Sequence, residues 1–472
     1  MVGPPGETAG DRSVSATAPT LARNKNTDIK SRVEAATVPG MVFFVYCYFL
    51  VDYFGRLAAR LPVYPQLRPT LLLVAVLTIA AFMQAHKFRG VTQETTIRIM
   101  FVFLIYLFLS FPLVEWPGSI IRHNLPEFVK AAVFLFFTAF FVDTDKRLKI
   151  FVGLFLALQI FRVIEPLYLN LTEGYLGSRT HLGGGEFAGR LAGAPADVIN
   201  PNGLGFVVAT VLAFSHFMLW RSSSKWLKLA YLVLVPALLY TMVQTGSRGG
   251  FLALLVVLVM IFVFTKRKAL FLIIIGVAAA GAWTQMNDIQ RDRYLSLVSA
   301  DTQQHATVDG RWRGIRHEFE LGLNRPIFGH GLGTTSEAKV HFGGGRPQAA
   351  HNLYAEALIE TGIIGFGIFM AFLGSCYLLL RRNMALFRRL GDTYTSSENY
   401  HYRLNLALIT VFWMYAVYSF NYFGLSQEYW YVFAGLCVAF SRSLKRNTEL
   451  VPTEETTPKL KSKLAPQGLG PA

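Results

Sequence analysis

A lone histidine stands where a polar loop of this sequence meets an apolar run, in Ala350-His351-Asn352-Leu353, and the run continues into Glu360-Thr361-Gly362-Ile363-Ile364-Gly365. An imidazole with an ordinary pKa near 6.5 can take a proton from a hydroxyl at neutral pH, a role worth roughly 10²- to 10⁴-fold in rate. Counting 3.6 residues per turn from His351 puts Ala355, Leu358, Gly362 and Gly365 beneath it. Most of these are small, so another helix or a lipid-linked chain can lie close. Glu356 and Glu360 sit in the first turns of the same run, where a lone carboxylate is costly. Each is expected to pair with a cation or to hold the histidine's surroundings, and either is a second choice as base. The plainer alternative for His351 is a residue that caps the helix or binds a lipid headgroup.

Arginines supply the complementary chemistry. In Thr245-Gly246-Ser247-Arg248-Gly249-Gly250-Phe251, Ser247 can cap the following helix, Gly249 and Gly250 leave room for an anion at its free N–H groups, and Arg248 adds a cation. This is a phosphate cradle, or else a capped turn with a snorkelling arginine. Arg311 opens an amphipathic stretch in which Trp312, Ile315, Phe319 and Leu323 recur at helical spacing, with Asp309 as the expected N-cap. Arg190, in Phe187-Ala188-Gly189-Arg190-Leu191-Ala192-Gly193, is a weaker candidate, and Arg179 is weaker still. The remaining loop histidines, His181, His305, His317, His330 and His341, read as ordinary polar residues.

These side chains must be positioned by membrane helices. The chain is 53% hydrophobic and only 16% charged, with 39 phenylalanines, which points to a polytopic membrane protein and away from several soluble domains. Apolar runs lie near residues 40–58, 70–86, 98–114, 126–142, 148–168, 202–220, 226–243, 250–265, 269–284, 352–380, 404–422 and 426–441. The expectation is therefore an all-α fold of about twelve crossings. The net charge of +16 is dispersed in short clusters between these runs, which argues against a nucleic-acid partner. Lys87/Arg89, Lys146/Arg147/Lys149, Arg221/Lys225/Lys228, Lys266/Arg267/Lys268, Arg381/Arg382/Arg388/Arg389 and Arg442/Lys445/Arg446 occupy alternate inter-span segments, making that side cytoplasmic, with both termini inside.

Residues 1–37 then read as a disordered cytoplasmic tail, 38–443 as the membrane domain and 444–472 as a second cytoplasmic tail. Long loops at about 169–201 and 285–351, each with a triple glycine, form the opposite surface and are expected to cover a site there. Arg190, Arg248, Arg311 and His351 all fall on that side, against the usual bias, and together call for an anionic partner such as a diphosphate between a lipid and a sugar. Cys47, Cys376 and Cys437 lie within apolar runs and carry no disulfide or zinc spacing. No Asp-x-Asp run or metal-ligand spacing falls on this face, so no metal or other cofactor is expected.

At these residues the chain resembles the O-antigen ligase and polymerase superfamily of bacterial inner-membrane glycosyltransferases. The resemblance rests on Ser247-Arg248-Gly249-Gly250, on Gly310-Arg311-Trp312 leading to Asn324-Arg325-Pro326-Ile327-Phe328-Gly329-His330-Gly331-Leu332-Gly333, and on His351-Asn352 followed by nine residues and Gly362-Ile363-Ile364-Gly365. It covers about residues 190–367. It implies a GT-C-like fold and metal-independent, inverting transfer of a glycan from undecaprenyl diphosphate at the periplasmic face. In ligases the acceptor is lipid A-core oligosaccharide; in polymerases it is another lipid-linked repeat unit. The resemblance implies that His351 activates the acceptor hydroxyl, that Arg248 and Arg311 hold the diphosphate, and that Arg190, Ser247, Gly249, Gly250, Asn352 and Glu356 contact substrate. The size and the long late loop favour the ligase. A membrane anion transporter stays open as an alternative, although its charged groups would be expected near the bilayer midplane.

Overall fold

The computed structural model describes Gly3 and residues 37–183, 186–295, 305–422 and 424–449. Its main helices are α1 (Gly40–Gly55), α2 (Pro69–Met83), α3 (Thr95–Ser110), α4 (Leu125–Phe141), α5 (Asp145–Glu173), α6 (Pro201–Ser215), α7 (Lys225–Thr245), α8 (Arg248–Phe264) and α9 (Lys268–Gln285). Three loop helices follow: α10 (Asp288–Leu295), α11 (His305–Leu323) and α12 (Thr335–His341). The last three are α13 (Leu353–Leu390), α14 (Tyr400–Tyr418) and α15 (Glu428–Glu449). The expected amino-terminal tail, apart from Gly3 and Thr37, and everything after Glu449 lie outside the described residues.

The chain is a mainly helical polytopic membrane protein. Among the described residues, eight helices are long and apolar enough to cross a membrane, and three shorter apolar ones accompany them. Their outward faces are apolar as lipid contact requires: Leu71, Leu72, Val76, Ile79 and Phe82 on α2 are exposed, and among its described side chains α9 has none that is buried. At the centre stands α6, capped by Asn200 with Pro201 at its first position, and nearly every one of its residues is buried. It crosses α8 where Gly205 and Gly250 meet; a Cβ on Gly250 would lie 2.9 Å from the Gly205 Cα. A second seam joins α4 to α15, where Gly435 admits Thr138 and Leu135.

The fold is consistent with the all-α polytopic expectation and carries one addition to it, a two-stranded hairpin. Gly177–Gly183 (β1) and Glu186–Leu191 (β2) form an antiparallel hairpin in which Ser178 pairs with Arg190. Its glycines allow the extended ribbon to sit tightly, since a Cβ on Gly189 would strike the Leu176 side chain.

The joint that organises the late half is a break in α13. Gly362 adopts φ 64° and ψ −174°, so the helix is interrupted there and its preceding carbonyls lose their intrahelical donors. The glycine-rich loop supplies them: His330 N–H donates to the Ile359 carbonyl at 2.8 Å and Gly331 N–H to the Glu360 carbonyl at 3.0 Å. In return Ile363 N–H donates to the Pro326 carbonyl at 2.6 Å. Tyr106 of α3 closes the gap by donating its hydroxyl to the Thr361 carbonyl at 2.6 Å. The stripe beneath His351 thus receives protein along its length: Leu358 packs on Gly322 of α11, Gly362 on Ile327 and Gly329, and Gly365 on Thr361 and Tyr106.

Candidate active site

Asn352 starts α13 by accepting hydrogen bonds from Tyr354 and Ala355 N–H, which fixes His351 just before the first turn. The His351 backbone N–H donates to the Glu318 carboxylate at 3.1 and 3.2 Å, and that buried carboxylate also accepts from Lys339 Nζ at 2.7 Å. Lys339 reaches on to the Ala349 carbonyl at 3.0 Å. One ion pair therefore ties α11, α12 and the 349–351 segment together. The His351 ring is left to line a cavity of about 140 Å³ with Arg311, Ile315, Asn200, Asn202, Asn421 and Tyr422.

Asn202 links this cavity to the other arginines. Its Oδ1 accepts from Arg190 Nη2 at 3.1 Å and from Ser247 Oγ at 2.9 Å. Arg190 Nε donates to the Thr245 carbonyl at 2.7 Å, so β2 is bound to the end of α7. Arg248 Nε donates to the Arg293 carbonyl at 3.1 Å, and Arg293 Nε to the Gly246 carbonyl at 2.6 Å.

The electrostatics match this crowding. Burial, then Arg293, with Arg311 and Arg248 adding to it, lowers the Arg190 guanidinium to about 9. Arg293 and Arg311 are likewise held below the ordinary arginine value, chiefly by burial. An anion among these cations would relieve both the repulsion and part of the desolvation. The His351 imidazole is lowered by desolvation at the cavity wall, opposed by Glu318 and reinforced by Lys339 and Arg311, so it is neutral at physiological pH and able to accept a proton.

Several expectations need correction. Arg311 does not open its helix: α11 already includes His305, so Asp309 is internal and the helix dipole lends Arg311 little. The buried face of α11 carries Glu318 and Leu321, while Trp312 is 69% and Leu323 56% exposed; the site, not the apolar stripe, sets the register. Gly249 and Gly250 do not open an anion cradle. Gly250 N–H is taken by Ser247 Oγ at 3.0 Å, and the two glycines admit Tyr418 and Gly205. Ser247 and Asn352 are buried caps and reach the site through their neighbours.

Glu356 and Glu360 pair with no cation among the described residues. Glu356 accepts from Gly424 N–H at 2.7 Å and Leu425 N–H at 3.1 Å. Glu360 accepts from Gly333 N–H and Thr335 Oγ1, both at 2.7 Å.

Sequence reasoning missed Asn202, Arg293, the Glu318–Lys339 pair and a buried pair behind the cavity. There, Arg162 Nε donates to Asp197 Oδ2 at 2.6 Å, and its Nη1 to Tyr429 at 2.9 Å. This pins the 192–200 turn that leads into Asn200. Arg162 had a usable signal, because an arginine inside an apolar run demands a partner. Glu318 had none, since it alternates with ordinary surface charges.

Lys339→Met would leave the Glu318 carboxylate buried without its cation, and is expected to cost about 3–5 kcal/mol. The check is the thermal unfolding midpoint in detergent, with the Glu318→Gln/Lys339→Met double variant recovering part of the loss. An unchanged midpoint for the single variant would mean that backbone N–H groups alone satisfy Glu318.

The O-antigen ligase family model matches residues 234–370. This match supports an O-antigen ligase family assignment for that segment. The matched segment runs from within α7 to within α13 and contains Arg248, Arg311 and His351. Arg190 and Asn202 lie before it, so the cavity is built from the matched segment and flanking helices together. No curated protein matches the chain in sequence. The family implies an enzyme of the ligase and polymerase type, acting on lipid-linked glycans in a membrane.

Proposed function

We propose that this protein is an O-antigen ligase proper, which moves a finished glycan from undecaprenyl diphosphate onto lipid A-core oligosaccharide at the periplasmic face of the inner membrane. The observation that carries the reading is the meeting of His351 and Arg311 on the walls of one cavity, with Arg190 bound to the Asn202 of that cavity. His351 takes the proton of the acceptor hydroxyl, and the hydroxyl oxygen bonds to the anomeric carbon of the donor sugar. The bond from that carbon to the diphosphate oxygen breaks on the opposite face, inverting the centre, and the oxygen departs with the electron pair. Arg311, Arg190 and Arg248 hold the charge that develops there, which is where preorganised donors contribute most. Asn352 and Ser247 serve by fixing His351 and Arg248, Gly249 and Gly250 by letting helices close around them, and Glu356 by contacting the acceptor.

The wider reading is a GT-C-like body of about twelve crossings, spanning residues 38–443, with both tails cytoplasmic and no metal required. The test is transfer by purified protein in detergent containing EDTA, supplied with polyprenyl-diphosphate glycan and lipid A-core. The expected product is glycan on lipid A-core. Arg311→Ala is expected to lower the rate at saturating donor by about 10²-fold, as removal of one charge-stabilising donor does elsewhere. Glycan that lengthens on the polyprenol would make the protein a polymerase instead. Silence of the wild type would reopen the anion-transporter reading.

A further inference from the structure

A second cavity, of about 250 Å³, is lined by Ala349 and Ala350, the residues just before His351, and by Ser336, Glu356, Glu360 and Gln427 among others. Its chemistry is opposite to that of the arginine cavity: among the described residues no arginine or lysine lines it. Glu356 is only 7% exposed; its Oε2 holds the Gly424 and Leu425 N–H groups, while its Oε1 accepts from no described residue and is left to the cavity. Glu360 is held by the Gly333 backbone and by Thr335, and it too lines the cavity. A small cavity of about 30 Å³, room for about one water, shares Tyr422 with the His351 cavity and Gln427 with this one. The two larger spaces therefore flank a single short segment that ends in His351.

We infer that this second cavity seats the acceptor, by binding an unphosphorylated sugar residue whose hydroxyls donate to the Glu356 and Glu360 carboxylates. The inference rests on the transfer reading above and names the part of the substrate that the arginine cavity does not suit. An anionic group is disfavoured in a space lined by Glu127, Glu356 and Glu360 with no cation on its described walls. A neutral hydroxyl supplies the donor that Glu356 Oε1 lacks, and a buried acceptor left unmatched discriminates strongly against analogues without that hydroxyl. The partition also explains how a site rich in arginine avoids holding a phosphate-bearing acceptor in the donor's place.

Two variants test it. Ser336→Trp fills the cavity and Gln427→Leu removes a polar wall; neither native side chain makes a hydrogen bond among the described residues, so neither change breaks one. Both are expected to raise the acceptor KM at least tenfold with the donor KM unchanged. In saturation-transfer NMR with detergent-solubilised protein, a dephosphorylated core oligosaccharide is expected to give a signal that Ser336→Trp abolishes, and its phosphorylated counterpart a weaker one. An unchanged acceptor KM in a folded variant, or a stronger signal from the phosphorylated sugar, overturns the inference. If Ser336→Trp fails to fold, Gln427→Leu decides alone. A wild type that transfers nothing but shows the signal, lost in the variants, would sink the transfer reading while keeping the cavity.

Discussion

His351→Ala is expected to lower glycan transfer by about 10²- to 10⁴-fold, the span of a lost general base, with folding intact. The prediction separates chemistry from structure because the attachments of this residue are made by its backbone: the N–H on Glu318 survives the substitution. His351 lines the same cavity as Arg311. Donor binding should therefore persist while turnover falls, and a loss confined to donor KM would make His351 a binding residue. The pH profile follows from the same surroundings. A base works when deprotonated, and desolvation lowers this imidazole from its ordinary value. Wild-type turnover should thus rise with pH along an acid limb lying below about 6.5 and be level through neutrality, and the limb should vanish from the residual activity of the alanine variant. A limb centred above that value would require the Glu318 charge to outweigh burial.

Gly362→Ala is the second large effect. The residue holds φ 64°, which an alanine adopts at a cost of about 1–3 kcal/mol. Its new Cβ would also come within 2.7 Å of the Gly329 nitrogen, a contact against backbone that no side-chain rotation relieves. Overpacking of this kind adds about 1–3 kcal/mol, so a total of about 2–6 kcal/mol is expected. The measurement is the thermal unfolding midpoint in detergent, together with proteolysis of the 325–334 loop. An alanine variant with a native midpoint and a protected loop would mean that the break in α13 is not required. Gly365→Ala, at ordinary helical backbone, tests crowding against Thr361 and Tyr106 alone and should cost less.

These two residues also mark what the sequence made legible. The start of α13 was readable from the polar-to-apolar step at His351-Asn352, but the capping role was an alternative for His351, whereas Asn352 is the residue that caps the helix. Gly362 was placed correctly on the stripe beneath His351 but taken for a packing gap. A break in a helix depends on the distant loop that satisfies its carbonyls, and nothing local distinguishes the two. Arg311 was found for a reason that failed: its helix starts earlier, and a turn-and-a-half of extra helix before it was hidden in polar residues without periodicity. Arg190 was weak in sequence because its position is set by a hairpin whose pairing, Ser178 with Arg190, carries no hydrophobic alternation. The Glu318–Lys339 pair was invisible, since burial of a charge is decided by tertiary packing and not by its neighbours in the chain.

The mating of the glycine-rich loop with the broken helix has a consequence for recombination. Residues 326–335 and 359–363 exchange backbone hydrogen bonds in both directions, and Glu360 grips the loop a second time through its side chain. The two stretches are one part made from two pieces of sequence. A chimera that takes α13 from one homologue and the preceding loop from another, as any single crossover in the Phe342–Ala349 stretch does, cuts through that part, whereas a crossover before Pro326 or after Ile363 keeps both pieces from one parent. Substitutions in the two stretches should accordingly be inherited as pairs, and a library designed to alter glycan choice should vary the cavity walls while moving this joint as a single cassette.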